Sequence, residues 1–173
     1  MSQHSMKHEQ DGVSVYRQFI DGQWTDGHGE SLDVTNPATG AVVGRLNLST
    51  SNDAQDALEA ADRAFESWRR TTAKHRADLL FKLVDLLHDD TERLANLITA
   101  EQGKPLTEAR ADVGMCADLI RFAAENTRRI EGDIVPADDP NEQIWIQKVP
   151  HGVVAGITAW NFPAALIGRK LGP

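Results

Sequence analysis

The chain has 173 residues, enough for one ordinary domain with a buried core. Its 40% hydrophobic and 25% charged residues are typical of a globular protein, and acidic residues outnumber basic ones 26 to 18. This balance, without a Lys/Arg-rich cluster, argues against binding to nucleic acid. No apolar run approaches the ~20 residues that a membrane span needs.

Residues 1–14 are polar and lack periodicity, so we interpret them as a mobile leader. His4 and His8 would share a metal ion only on a helix, which nothing in this stretch predicts, and no other part of the chain has metal-ligand spacing. Cys116 is the single cysteine and therefore cannot form an internal disulfide, as is usual in a reducing compartment. With no apolar signal core at the N-terminus, we expect a cytoplasmic protein.

The next stretch predicts a small β unit. Asp21-Gly22 lies between Phe19-Ile20 and Gln23-Trp24, which is a strong signal for a two-residue hairpin turn. The turn residues 36–40 lead into a second strand-like run at 41–46. We interpret both as scaffold.

Helical periodicity follows. Residues 51–53 are capping residues for a helix to about Arg70, with an apolar stripe that includes Leu58, Phe65 and Trp68. Further helices are predicted over 74–88 and from about 91 to Glu101, where Gly103-Lys104-Pro105 supplies a glycine stop followed by proline. A long helix is predicted over 106–130, with Val113, Cys116 and Ile120 on its apolar face.

Strand character returns over residues 133–149, at 134–136 and 144–146. The last stretch, 150–173, predicts a strand buried on both faces at 153–157, a polar tip at Trp160-Asn161, and a helix that Pro163 begins. A strand end followed by a helix start is where open α/β sheets place their ligands. The predicted fold class is therefore α/β.

The sequence resembles the aldehyde dehydrogenase superfamily through an ordered series of motifs. They are Phe19-Ile20-Asp21-Gly22-Gln23-Trp24, Asn36-Pro37-Ala38-Thr39-Gly40, Ala64-Phe65-Glu66-Ser67-Trp68, Glu101-Gln102-Gly103-Lys104-Pro105, Glu131-Gly132 and Trp160-Asn161-Phe162-Pro163. The resemblance implies the N-terminal, truncated portion of that fold. Residues 15–149 would form the helical and β-hairpin part of the cofactor domain, including oligomerisation elements, and 150–173 the incomplete start of a Rossmann-like core.

Asn161 is the first candidate for catalysis. In the family, the matching asparagine donates a side-chain N–H to the aldehyde oxygen as it becomes an oxyanion, and one such donor lowers a barrier by about 3 kcal/mol. From the residues alone, an asparagine just before a helix start is more often a cap, and that alternative stays open.

The resemblance also implies a cofactor, NAD or NADP, between which these residues do not decide. Ile157, Thr158, Ala159, Trp160 and Asn161 match positions that line the nicotinamide-ribose side of the cleft, although the family usually has proline where Ala159 stands. A lone tryptophan is otherwise more often packed in a core.

Arg169 and Lys170 bear on the substrate. Helical spacing from Asn161 to Arg169 turns about 80°, so both side chains would face one cavity. Succinate-semialdehyde and lactaldehyde dehydrogenases resemble this chain in having Arg-Lys here, and their arginine contacts the carboxylate or polar end of the substrate, which suits the guanidinium fork. A solvated arginine remains the alternative. Lys170 matches a proposed proton-relay lysine, or simply balances the C-terminal dipole of the helix.

Cys116 is not expected to be the nucleophile, because it lies on the apolar face of a helix and reads as a buried thiol. The resemblance implies that the nucleophilic cysteine, the general-base glutamate and the glycine-bearing cofactor turn lie beyond Pro173. We therefore expect the 173-residue chain to be inactive by itself.

The predicted function is the N-terminal portion of an NAD(P)-dependent aldehyde dehydrogenase that forms a homo-oligomer when complete. Succinate semialdehyde is the favoured substrate, followed by lactaldehyde or glycolaldehyde. The alternatives are a noncatalytic interaction or oligomerisation fragment, one half of a split enzyme, or a plain helical binding domain.

Overall fold

The computed structural model describes residues 6–173. Its strands are β1 (Lys7–Gln10), β2 (Val13–Tyr16), β3 (Gln18–Ile20), β4 (Gln23–Thr25), β5 (Ser31–Thr35), β6 (Val42–Asn47), β7 (Asp133–Pro136) and β8 (Gln143–Ile146). Its helices are α1 (Ser51–Trp68), α2 (Ala73–Asp89), α3 (Thr91–Gln102), α4 (Leu106–Asn126) and α5 (Ala165–Leu171), with a 3₁₀ turn at Thr127–Arg129 after α4.

The prediction of a mobile leader over residues 1–14 is wrong for its second half. Strands β1 and β2 form an antiparallel hairpin, and β2 pairs in parallel with β6, in a sheet of order β1-β2-β6-β5. The Asp11-Gly12 turn joins them with positive φ at both residues, and Val15 is buried. His8 lies on β1, whereas His4 and the rest of residues 1–5 are outside the described range.

The two predicted hairpins are confirmed. Strands β3 and β4 are antiparallel, and Asp21 and Gly22 between them have φ of 51° and 74°. This backbone is that of a turn whose twist matches its strands, and Asp-Gly supplies it at little cost. Strands β7 and β8 pair over the predicted stretch, with Ile134 opposite Trp145.

The core is helical and centres on α4, against which α2, α3 and α5 pack. One buried cluster joins Val84 of α2 to Cys116, Ala117 and Ile120, and a second joins Ala95 and Ile98 of α3 to Ala109 and Val113. The alanines in these clusters, Ala95, Ala109 and Ala117, leave room for the helices to pack closely. The predicted apolar face of α4 is confirmed, and α3 ends at Gly103 in the left-handed conformation, with φ of 74°.

Some apolar surfaces are not covered within residues 6–173. The stripe on α1 is largely open, with Leu58 and Trp68 about half exposed, and the β7–β8 hairpin exposes Ile134 and Trp145. A two-stranded hairpin has little stability of its own in water. These surfaces have the character of interfaces.

The strand predicted at 153–157 is absent: residues 149–159 have no regular secondary structure, and Ile157 is 87% exposed. A doubly buried strand exists only where neighbouring strands and covering helices are present, and residues 6–173 supply neither beside it. The helix that follows does form, although it begins at Ala165 rather than at Pro163. Among the described residues, no helix is both long and apolar enough to cross a membrane.

The N-terminus of α1 is tied to the β unit through the carboxylate of Asp53. Asp53 accepts hydrogen bonds from the Thr50 main-chain N–H at 2.7 Å and from the Thr50 hydroxyl at 2.8 Å, and it lies 2.5 Å from Nδ1 of His28. The bonds to Thr50 and then to His28 hold the pKa of Asp53 far below its usual range. The same contact, as a hydrogen bond and then as a charge pair, raises the pKa of His28.

We therefore predict a pH-dependent contribution from this pair. A histidine with a raised pKa stabilises the fold fully below its unfolded pKa of about 6.5 and loses that contribution as the pH rises through the folded pKa. Asp53, with a lowered pKa, loses its contribution only in acid, below about pH 4. A histidine NMR titration should place His28 above about 6.5, and Asp53→Asn should bring it down toward that value.

The matched variant is His28→Gln, which keeps a polar side chain but cannot be protonated. Its thermal midpoint should change less between about pH 6 and pH 8 than that of the unsubstituted protein. Equal changes in both proteins would contradict the assignment.

A second prediction concerns the contact between α4 and α5. A Cβ at Gly168 would lie 2.8 Å from the main-chain oxygen of Cys116, whereas one at Gly114 on α4 would meet nothing within 4 Å. Gly168→Ala should therefore destabilise the protein by about 1–3 kcal/mol, because backbone must move. Gly114→Ala should stabilise it by about 0.5–1 kcal/mol, because alanine favours the helix. Urea unfolding measures both, and equal tolerance of the two would contradict this packing.

Candidate active site

The candidate site is the turn Trp160–Pro163, which lies between the irregular stretch 149–159 and α5. Ala164, next to the turn, packs against both buried clusters of the helical core. Ala165 and Gly168 are buried, and Gly168 allows α5 to approach α4 closely at Cys116. The turn is therefore anchored on its C-terminal side by the packing of α5.

Asn161 is exposed in this turn, and the hydrogen bond that it makes uses its main-chain oxygen. The helix-cap alternative does not hold in the structure, because the residue at the cap position of α5 is Ala164 and no side chain caps that helix. The Asn161 amide is an uncharged group with two N–H donors, so this position can offer a donor to a ligand oxygen.

Two side chains from the α3–α4 junction hold the main chain of the turn. Nζ of Lys104 donates to the main-chain oxygen of Asn161 at 2.9 Å, and Nε2 of Gln102 donates to the main-chain oxygen of Trp160. Lys104 Nζ also lies 4.3 Å from the centroid of the Phe162 ring.

A buried carboxylate completes this arrangement. Asp112 on α4 accepts from Lys104 Nζ at 3.2 Å through Oδ2, and through Oδ1 from the Ala165 main-chain N–H at 2.9 Å. The Asp112 side chain is fully buried, and that of Lys104 is 11% exposed. Buried charges need a partner and hydrogen bonds, and both are present.

Sequence reasoning missed these three residues. It recognised Gln102 and Lys104 only as part of a helix end and a motif, and it did not consider Asp112. A signal existed, because Asp112 adjoins Val113 and lies one helical turn before Cys116, on the apolar face of α4. A carboxylate at a core position requires a cation or N–H donors nearby.

The predicted cofactor-facing residues lie on open surface. Ile157, Thr158, Ala159 and Trp160 are exposed, and Trp160 is 84% exposed, so the tryptophan is not a core residue within the described chain. Because the strand is absent, these residues do not form a strand end here. What the structure offers at these positions is an uncovered apolar and aromatic surface next to Asn161.

Arg169 and Lys170 are exposed on α5. The prediction that helical spacing relates Arg169 to Asn161 is wrong, because α5 begins at Ala165 and Asn161 lies before it. The rest of the turn and the first residues of α5 lie between Asn161 and Arg169 in the chain. Lys170 lies close to the irregular stretch, since a Cβ at Gly156 would be 3.5 Å from its Cδ.

Cys116 is a buried thiol, as predicted. Burial raises its pKa, despite a main-chain hydrogen bond from Gly168 that acts in the opposite direction. A raised pKa keeps the thiol protonated and poorly nucleophilic. In the part of the chain that the structure describes, no group of three or more His, Cys, Asp or Glu residues is placed to hold a metal ion.

Comparisons with known proteins identify the family. Residues 24–173 match the family model described as the aldehyde dehydrogenase family. The chain is 44% identical, over 159 residues, to 3,6-anhydro-alpha-L-galactose dehydrogenase of a Vibrio species (strain EJY3), covering 91% of this chain and 33% of that protein. It is 42% identical to the NADP(+) succinate-semialdehyde dehydrogenase of Escherichia coli, covering 92% of this chain and 34% of that protein.

Solved structures agree with this result. The chain superposes on lactaldehyde dehydrogenase from Escherichia coli with a TM-score of 0.88 and 38% identity, covering 91% of this chain and 33% of that one. The chain thus spans about a third of the length of these relatives. Since the family model covers most of the sequence and the superposition most of the fold, this chain belongs to the aldehyde dehydrogenase family.

Proposed function

We propose that this chain supplies the N-terminal part of an NAD(P)-dependent enzyme that oxidises an aldehyde to a carboxylate. The observation that carries the proposal is the turn Trp160–Pro163, whose main chain is held by Gln102 and Lys104 while the Asn161 side chain is exposed. Because the chain belongs to the aldehyde dehydrogenase family, we interpret the exposed amide as a group that binds the aldehyde.

The proposed role of Asn161 is to donate an amide N–H to the carbonyl oxygen of the aldehyde. As a nucleophile adds to the carbonyl carbon, that oxygen becomes negative, and a donor already in place stabilises it without further reorganisation. An amide suits this role because it remains neutral throughout. The attacking thiolate is not assigned to Cys116, because that thiol is buried and burial raises its pKa.

The proposed cofactor surface is formed by Ile157, Thr158, Ala159, Trp160 and Asn161. The side chains of Ile157 and Trp160 are apolar and uncovered, which fits the flat face of a nicotinamide ring and its ribose. When bound, NAD or NADP would accept hydride from the substrate carbon. The residues of this chain would form one wall of that cleft and exclude water from it.

For the substrate, we propose an aldehyde with an anionic or hydroxyl-bearing end, with succinate semialdehyde first and lactaldehyde or glycolaldehyde next. The exposed Arg169 supports this choice, because a guanidinium binds a carboxylate through two parallel hydrogen bonds. Lys170, exposed beside it, is proposed as a proton-relay residue. The names of the two Escherichia coli relatives, succinate-semialdehyde and lactaldehyde dehydrogenase, fit the same substrate class.

We further propose that the complete protein is a cytoplasmic homo-oligomer. The exposed apolar residues of the β7–β8 hairpin, Ile134 and Trp145 among them, support a partner surface at this position. The same surface favours the second candidate, in which this chain is an interaction fragment or one half of a split enzyme. Co-purification with a second polypeptide that carries a reactive cysteine and a glutamate would favour that candidate.

The proposed function is tested with the complete gene product, an aldehyde and NAD or NADP, by following reduced cofactor. Asn161→Ala should lower kcat by roughly 10²–10³-fold, because one oxyanion donor is lost. Asn161→Asp is the matched variant: it keeps the size of the side chain but presents a carboxylate to the developing charge, and it should be at least as impaired. Wild-type kcat in Asn161→Ala would overturn the role of Asn161, and no aldehyde oxidation in the unsubstituted protein would overturn the function.

A separate prediction concerns Arg169. Arg169→Leu should raise KM for succinate semialdehyde by about 10-fold or more, because a charged hydrogen-bond pair is lost, and should leave an uncharged aldehyde such as propionaldehyde nearly unaffected. Steady-state kinetics with both substrates measure the difference. Equal loss with both aldehydes, or loss with neither, would show that Arg169 does not bind the carboxylate.

A further inference from the structure

The main chain on both sides of Asn161 is held by side chains from one junction. Gln102 donates to the carbonyl that precedes the Asn161 Cα, and Lys104 donates to the carbonyl that follows it. Because each peptide group is planar, fixing both carbonyls restrains φ and ψ of Asn161 and so the direction in which its Cβ points. We propose that Lys104 is a positioning residue that aims the Asn161 amide, an inference that rests on the proposed function.

Lys104 is itself rigidly placed. Its ammonium group has three N–H donors, and it contacts the Asn161 carbonyl, the Asp112 carboxylate and the face of the Phe162 ring. With its side chain only 11% exposed, it cannot exchange these partners for water at little cost. The exposed pair Lys74–Asp78, by contrast, has both side chains more than half exposed and is free to rearrange.

Asp112 extends the restraint to the other side of the turn. One of its oxygens binds Lys104 and the other accepts the Ala165 N–H at the start of α5. The same carboxylate therefore fixes the distance between the Asn161 carbonyl and the first residue of the helix. It also neutralises Lys104, so the charge near the proposed oxyanion is balanced and the amide of Asn161 remains the specific donor.

The side chains around the turn therefore have two different roles. The side chains of Gln102, Lys104 and Asp112 bind main-chain atoms, and the Asn161 side chain is left for the ligand. Loss of Lys104 would free the Asn161–Phe162 peptide to rotate and would leave the Asp112 carboxylate buried without its cation. A displacement of about 1 Å at a reacting group can cost on the order of 10²-fold in rate.

A double-mutant cycle in the complete enzyme tests the inference. Lys104→Met should lower kcat by roughly 10- to 100-fold, with KM for the aldehyde little changed, since misplacement affects a bond formed in the transition state. In an Asn161→Ala background the same substitution should have almost no further effect on kcat, because the group that it positions is already absent. Hydrogen–deuterium exchange of the Ala165 amide should increase in Lys104→Met.

A purely structural role gives a different result. If Lys104→Met lowers kcat by the same factor with and without Asn161, or leaves kcat unchanged when Asn161 is present, the inference is overturned. Lys74→Met is the control for loss of a lysine from an ion pair, and it should change neither kcat nor amide exchange at Ala165. If Lys104→Met does not fold, the same cycle is run with Gln102→Leu, which removes the other restraint and leaves the buried charges paired.

This outcome is distinguishable from failure of the proposed function. No aldehyde oxidation by the unsubstituted protein would overturn the function itself, and wild-type kcat in Asn161→Ala would overturn the role of Asn161 and with it the positioning role of Lys104. A strong effect of Asn161→Ala combined with an additive effect of Lys104→Met would overturn the present inference alone.

Discussion

The buried ion pair between Lys104 and Asp112 is the interaction on which the candidate site depends. It joins the α3–α4 junction to the turn before α5, across more than fifty residues of sequence, and both side chains are nearly or fully buried. Removing one partner of such a pair typically costs about 3–5 kcal/mol, because the other charge is left buried and uncompensated. The pair also contacts the main chain at Asn161 and Ala165, so it supports a turn that has no regular secondary structure of its own.

Local structure explains how Lys104 reaches this position. Gly103 ends α3 in the left-handed conformation, and Pro105 is the cap residue of α4, so Lys104 lies between two helix ends. The left-handed conformation, which glycine adopts without strain, breaks the helical path at Gly103. Proline lacks the N–H that a helix interior needs, so α4 cannot extend backward through Pro105. The Gly-Lys-Pro sequence therefore ends α3 and also places the buried Lys104 cation beside Asp112.

Several large apolar side chains are exposed, as expected of a chain that spans about a third of its relatives' length. The core around α4 is well packed, whereas the stripe on α1, the β7–β8 hairpin and residues 153–160 expose large side chains. Burying such surface gains about 25 cal/mol per Å². These are the faces at which further polypeptide, of the same chain or of another copy, would add most to stability.

The sequence by itself determined the helices, the hairpins at residues 18–25 and 133–146, the apolar face of α4, the buried state of Cys116 and the family. All of these follow from short-range signals: periodicity, turn residues and motifs read in order. Asp11-Gly12 is the same turn dipeptide as Asp21-Gly22, but the strand before it, β1, is polar, so the sequence did not predict a hairpin there. Val15 on the strand after it is buried because β2 pairs with β6. Tertiary structure alone decided two things: that Asp112 and Lys104 meet, and that residues 153–157 do not form a strand. Each depends on partners distant in sequence, because a buried charge needs its counterion and a buried strand needs its neighbours, and no local pattern states where those lie.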